Sequence, residues 1–305
     1  MKAPLDVVID TDIGDDIDDA LALAFACLSP EVRLRAVTTV YGRTDLRTKL
    51  ATAVLEACGV RNVPVAAGYS KPIVEEEPLR EPLQFKALKP GEGEEGIVKE
   101  HAIDLLLEVS REYEGLTLIT LGPLTNVALA LLREPSLAKR VRIISMAGCY
   151  LRPTIEYNVR CDPEAMYVLL RSGAKPLLVG LDVTTRCVMG LDKVEELKRS
   201  PCPHADVLSR LLGAWMEREV RKPVLHDPLA VATSLREDLV ETLEAEVTVE
   251  LCGKATRGLT LLAKGGFKAR VCVDVREEEF LKLFYERLIV GTCRSPSCLG
   301  KLDTG

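Results

Sequence analysis

Six aspartates fall within the ten residues Asp10-Thr11-Asp12-Ile13-Gly14-Asp15-Asp16-Ile17-Asp18-Asp19. Carboxylates spaced so closely repel one another, and they stay ionised together only when positive charge sits among them. A hard divalent cation with oxygen ligands meets that need. Ile13 and Gly14 permit a tight loop, and Asp18 and Asp19 open a helical stretch whose N-terminal dipole also favours negative charge. Helix capping accounts for one or two of these aspartates, not for six.

A loop of this kind needs a rigid frame. Residues 5–10 read as a buried strand and 18–28 as a helix; strand 34–40 and helix 45–57 follow, then a short strand at 63–67. The alternation resumes with helix 102–113, strand 116–121, helix 126–132, strand 141–146, helix 163–172 and strand 177–181. Strands alternating with helices imply an α/β fold, a Rossmann-like and mostly parallel sheet flanked by helices. Ligands in such sheets sit beyond the carboxyl ends of the strands, where the acidic run lies. Residues 245–250, 259–263 and 269–275 read as a C-terminal antiparallel hairpin region, followed by a helix at 277–288. The Glu-, Pro- and Gly-rich segment 75–96 reads as a mobile loop, either a plain connection or a lid. Residues 1–291 form one catalytic domain in this reading, and 292–305 a flexible tail.

The 305-residue chain is 47% hydrophobic and carries a net charge of -6, which suits a packed core and gives no attraction to a phosphate backbone. Nucleic acid is therefore not the expected partner. Neither a signal peptide nor a membrane span is expected, and the protein is expected to be soluble and cytoplasmic. Ten scattered cysteines show no zinc spacing. They read as small buried hydrophobes in a reduced compartment, with Cys293 and Cys298 the candidate pair for a disulfide.

The stretch from Val7 to Leu23 resembles the signature of the inosine–uridine-preferring nucleoside hydrolases, in which a DxDPGxDDA segment holds calcium. Here Ile13 replaces the usual Pro, and two extra residues separate Gly14 from the paired aspartates. The resemblance implies that Asp12 is a Ca2+ ligand and the general base for water, Asp19 a second ligand, Asp18 a ribose contact and Asp10 a support behind the loop. Asp15 and Asp16 fall at the insertion and receive no catalytic role. Gly122-Pro123-Leu124-Thr125-Asn126 resembles the family's GPLTN segment and implies that the Thr125 carbonyl binds the metal, although Thr125 also suits a helix cap. Glu156-Tyr157-Asn158 resembles the EFN stretch and assigns Glu156 and Asn158 to ribose hydroxyls; Asp162-Pro163 reads as an N-cap and first helical proline. His226-Asp227-Pro228 places Asp227 in the calcium shell and makes His226 the acid that helps the base leave. His101 and His204 read as surface residues, and Arg257 of a late Thr-Arg-Gly turn as a structural one.

The implied reaction is hydrolysis of an N-ribosidic bond through an oxocarbenium-like state, with a metal-acidified water as nucleophile. A small nucleoside substrate, a homodimer or homotetramer and a place in purine or pyrimidine salvage accompany the resemblance. Three positions depart from it: Gly42-Arg43, Glu92-Gly93 and the short stretch 149–155 lack residues that normally touch ribose or base. Arg43 could meet an anion instead or form a surface ion pair, and Trp215, the single tryptophan, could stack on a base or pack in the core. The substrate is therefore open at this level. Two other readings stand beside the hydrolase: a non-catalytic nucleoside- and calcium-binding protein, and a haloacid-dehalogenase-like phosphatase using Asp10 and Asp12.

Overall fold

The computed structural model describes residues 3–76 and 79–290. In chain order the elements are β1 (Leu5–Thr11), α1 (Asp18–Leu28), β2 (Val32–Thr39), α2 (Thr44–Ala57), β3 (Val65–Ala67), α3 (Ala102–Glu112) and β4 (Thr117–Thr120). Then come α4 (Thr125–Arg133), α5 (Leu137–Arg140), β5 (Arg142–Ser145), α6 (Tyr157–Cys161), α7 (Pro163–Arg171), β6 (Leu177–Leu178), α8 (Leu181–Thr184), α9 (Leu191–Arg199), α10 (Pro203–Met216) and α11 (His226–Leu235). The chain closes with β7 (Val240–Val249), β8 (Thr260–Leu262), β9 (Phe267–Val275) and α12 (Glu277–Tyr285).

The strands form one nine-stranded sheet in the order β3-β2-β1-β4-β5-β6-β9-β7-β8. Pairing is parallel from β3 through β6 to β9 and antiparallel only where β7 meets β9 and β8. The expected C-terminal antiparallel strands are present and belong to the same sheet, because β9 lies parallel to β6 and carries it onward. Both faces are covered, which explains the unbroken apolar run of β1. Val7 and Ile9 join the cluster formed with α1, α10, α11 and α12, while Val8 joins that of α3, α4 and α7. Strand order reverses between β1 and β4, and a crevice opens there beyond the strand ends.

Two sequence expectations need correction. No elements were expected between residues 181 and 226, yet α8, α9 and α10 fill the stretch. Val194 and Leu197 bury one face of α9, whose other positions are mostly charged, and Pro203 starts α10 without costing a hydrogen bond. His204 is buried on α10, not exposed; its Nε2 lies 3.0 Å from the Leu288 carbonyl, and burial lowers its pKa. His101 is exposed and caps α3, accepting from the Ile103 backbone.

Within the segment expected to be mobile, residues 83–87 are anchored. A 3-10 turn at Leu83–Ala87 buries Gln84 completely against the loop after β1. Cys27, Cys58, Cys149, Cys161, Cys187, Cys252 and Cys272 are free thiols, and Cys202 is disulfide-bonded. The expected Cys293–Cys298 pair and the expected tail lie outside the described residues. Among the described residues no helix is long and apolar enough to cross a membrane.

Candidate active site

The loop joining β1 to α1 turns at Gly14, whose φ of +130° only glycine adopts without strain. A side chain there would also meet Pro82 Cβ at 2.6 Å and Leu50 Cδ1 at 2.7 Å. The turn leaves Asp12, Asp18 and Asp19 lining a cleft of about 690 Å³ together with Glu156, Asn158, His226 and Asp227. Asp18, Asp19 and Asp227 each bring a carboxylate oxygen within 4.8 Å of the others, all three buried. The Asp227 backbone N–H donates to Asp18 Oδ2 at 3.2 Å, tying α11 to α1.

Burial is the first cause pushing these carboxyls above the usual range. Asp19 rises to about 7, with neighbouring Asp18 adding to the effect and the Thr11 hydroxyl opposing it. Asp12 is raised by burial and then by Asp19, against the pull of Arg47. Asp227 is raised by burial and then by Asp18 and Asp19. Carboxylates so placed ionise together only with added positive charge, and an all-oxygen donor set suits a hard divalent cation. The residues therefore fit a metal site.

Behind the trio stands a layer of support. Thr11 Oγ1 donates to Asp19 Oδ1 at 2.5 Å, while its oxygen accepts from the Ile13 N–H at 3.1 Å. Asp10 lies outside the cleft lining; its Oδ1 accepts from Thr38 Oγ1 at 2.6 Å and Asn126 Nδ2 at 2.8 Å, and burial raises its pKa to about 7. Arg47, buried on α2, donates to the Asp12 carbonyl, to the Ile13 carbonyl at 2.9 Å, to Asp15 Oδ2 at 2.8 Å and to the Tyr41 carbonyl at 2.7 Å. Asp15 and Asp16 of the insertion line the cleft but are committed, Asp15 to Arg47 and Asp16 to Arg221. Gln84 donates to the Asp16 carbonyl at 2.6 Å and its backbone N–H to the Gly14 carbonyl at 2.8 Å, so the anchored segment braces the insertion.

Glu156 and Asn158 meet at the start of α6. Glu156 caps the helix, accepting from the backbone N–H groups of Asn158 at 2.7 Å, Val159 at 3.0 Å and Gly148 at 3.2 Å. Asn158 Nδ2 donates to the Leu121 carbonyl at 2.6 Å and the Met146 carbonyl at 3.1 Å, joining the ends of β4 and β5. His226 begins α11 with Nδ1 2.7 Å from Thr184 Oγ1, and burial lowers its pKa to about 4. The ring is neutral at pH 7, which does not suit a proton-donating imidazolium. Trp215 is fully buried and borders the cleft, which bears out the reading that it packs in the core.

Thr125 stands away from the cleft lining, and Arg43 takes the ion pair rather than an anion contact in the cleft. Thr125 is absent from the cleft lining; its hydroxyl donates to Asp162 Oδ2 at 2.6 Å at the start of α4. Leu121, three residues before Leu124, lines the cleft in its stead. Arg43 is half-buried and paired with Asp45 at 2.7 Å, away from the cleft lining. Arg257 pairs with Glu75 and Glu164, in keeping with a structural role. Sequence reasoning missed Thr11, Arg47 and Thr184. The hydroxyl between two aspartates was a visible hint for Thr11, whereas an arginine within a helical run and a threonine on a short helix gave none.

A parallel sheet reversing at the mouth of a buried carboxylate cluster, with a sugar-sized cleft above it, defines a metal-site hydrolase architecture. The sequence pattern of the inosine-uridine preferring nucleoside hydrolases matches residues 7–282, and the chain belongs to that family. It is 32% identical to a pyrimidine-specific ribonucleoside hydrolase, RihA, of Salmonella arizonae, covering 93% of this chain and 98% of that one. A plant nucleoside hydrolase structure superposes with a TM-score of 0.85 at 30% identity, covering 94% of this chain and 99% of that one. A purine-preferring ribonucleoside hydrolase from Gardnerella vaginalis superposes with a TM-score of 0.81 at 27% identity, over 93% and 98% of the two chains. The chain is accordingly an N-ribosyl hydrolase, acting on the N-glycosidic bond of ribonucleosides. Family membership displaces the phosphatase reading.

Proposed function

We propose that the protein releases a free base from a ribonucleoside with calcium as its metal, Asp12 as general base and Asp18, Glu156 and Asn158 as the ribose grip. The buried meeting of Asp18, Asp19 and Asp227, with Asp12 lining the same cleft, carries this reading. Asp19, Asp227 and Asp12 would hold the ion, with the Leu121 carbonyl a better candidate than Thr125 for a backbone ligand because Leu121 lines the cleft. Calcium suits a crowded shell of carboxylates, carbonyl and sugar hydroxyls better than magnesium does. Bound there, it supplies the charge that keeps these carboxylates ionised and makes a nearby water more acidic.

The rest of the chemistry belongs to the chain. Asp12 takes the proton of the attacking water. Asp18 has one oxygen on the Asp227 N–H and keeps the other for a ribose hydroxyl. The Glu156 carboxylate and the Asn158 side-chain amide oxygen strengthen their hydroxyl contacts as the sugar gains positive charge. His226 with Nδ1 on Thr184 has Nε2 to offer the leaving base, as a neutral donor rather than a full acid. We further propose that residues 1–291 work as one catalytic unit, in a cytoplasmic salvage setting, as a homodimer or homotetramer that light scattering would reveal.

The test is ribose release from a nucleoside panel with calcium and with chelator. Release that needs calcium and disappears in Asp12→Asn is the expected outcome. Calcium binding without release from any nucleoside would overturn the proposal.

A further inference from the structure

The cleft wall formed by the end of α10 and the turn after it is rich in guanidinium. Trp215, Arg218, Glu219 and Arg221 line it, and Arg80 joins them from the segment ahead of the 3-10 turn. The acids on this wall are already committed. Arg221 pairs with Asp16, reaches Glu219 at 3.3 Å and lies over the Trp215 ring at 5.3 Å from its centre. Arg80 and Arg218 line the same cleft, and among the described residues neither has an ion-pair partner. Trp215 Nε1 is buried without a hydrogen-bond partner. The wall therefore presents two exposed guanidiniums that no described carboxylate pairs.

Such a surface is poorly matched to a neutral base. A guanidinium grips a carboxylate through two parallel hydrogen bonds, and these charge-assisted bonds are roughly twice as strong as neutral ones. If the metal-side carboxylates with Glu156 and Asn158 hold the ribose, the Trp215–His226 side is left for the base. Positive charge there also favours a base that gathers electron density as its bond to C1′ breaks.

We propose that the base carries a carboxylate received by Arg80 and Arg218, so that the substrate class is an acidic-base ribonucleoside of the carboxypyrimidine type. The inference rests on the hydrolase reading above and narrows it. The reaction stays balanced: water adds to C1′, the C1′–N bond breaks, and the pair of electrons and a proton leave with the base.

The probes are orotidine, uridine and uridine 5′-monophosphate, assayed with calcium for ribosyl release in the wild type and in Arg80→Gln/Arg218→Gln. Wild-type kcat/KM should favour orotidine over uridine by about tenfold or more, and the ratio should fall to near one in the double variant. A uridine preference in the wild type, or an orotidine preference that survives both substitutions, overturns the assignment. A preference for uridine 5′-monophosphate places the anion on the sugar side and overturns it too. Calorimetric binding to Asp12→Asn separates the two proposals. If none of the three probes is hydrolysed, orotidine binding about tenfold tighter than uridine, and lost in the variant carrying the arginine changes, still supports this site. Equal binding refutes it.

Discussion

The Thr11 hydroxyl donates to the Asp19 carboxylate at 2.5 Å, so the last residue of β1, between two aspartates, aims an aspartate of the following helix. Partners behind metal-binding side chains typically set affinity by 10- to 100-fold when removed. Thr11→Val keeps the shape and removes the donor. Calcium affinity, read by calorimetry, should weaken by roughly that factor, while the melting temperature in chelator changes little.

Gly122 faces Asp12 across the strand ends. A Cβ at Gly122 would stand 2.6 Å from Asp12 Oδ1 and 2.8 Å from its backbone nitrogen. Gly122→Ala must displace the proposed base, and a shift near 1 Å is enough to cost about 100-fold in rate. The expected result is a folded protein by circular dichroism whose kcat falls by about that much. Wild-type kcat would show that Asp12 need not occupy this position.

The pH dependence of the metal-free protein has a definite sign. Asp10 and Asp19 titrate near 7 when folded, against an ordinary value of 3.8. A raised acid holds its proton longer when folded than when unfolded, so its contribution is present below pH 3.8 and is lost as pH climbs towards 7. In chelator, thermal unfolding should therefore occur several degrees lower at pH 8 than at pH 5. Calcium should raise the melting temperature more at pH 8, where it does not compete with protons. A metal-free protein that is more stable at pH 8 than at pH 5 would contradict this.

His226 is half-buried, and desolvation lowers its pKa to about 4. Its help to the leaving base should matter only for a base that needs it. His226→Ala is expected to lower kcat about 100-fold on natural nucleosides and only a few-fold on a p-nitrophenyl riboside, whose leaving group departs unaided. Equal losses on both would assign the histidine to binding.

Arg47 is 2% exposed and satisfies two carbonyls of the metal loop. Arg47→Ala leaves those acceptors unpaired and a cluster of acids without its nearby cation. A stability loss of about 3 kcal/mol is expected by denaturant titration. Arg47→Lys should recover only part of it, since an ammonium lacks the planar fork that reaches Asp12, Ile13 and Asp15 together.

Much of the frame was legible because it is local. The unbroken apolar run of β1, the period of α1 beginning at Asp18 and the Asp162-Pro163 helix start are set by short-range sterics and burial. The acidic run, Glu156, Asn158, His226 and Asp227 were legible as chemistry, and all of them but Asp10 line one cleft. What the sequence could not carry was direction. Whether Thr125 or Leu121 meets the cleft depends on how β4 hands over to α4, and whether Arg43 or Arg47 faces inward depends on the rotation of α2 against the loop. The helices between residues 181 and 226, the inward position of His204 and the antiparallel strands' attachment through β9 are likewise decisions of packing. Residue type and spacing determined that this chain holds a buried carboxylate site of the nucleoside hydrolase family. Only the tertiary structure decided which backbone, which arginines and which protonation state surround it, because those follow from contacts between segments far apart in the chain.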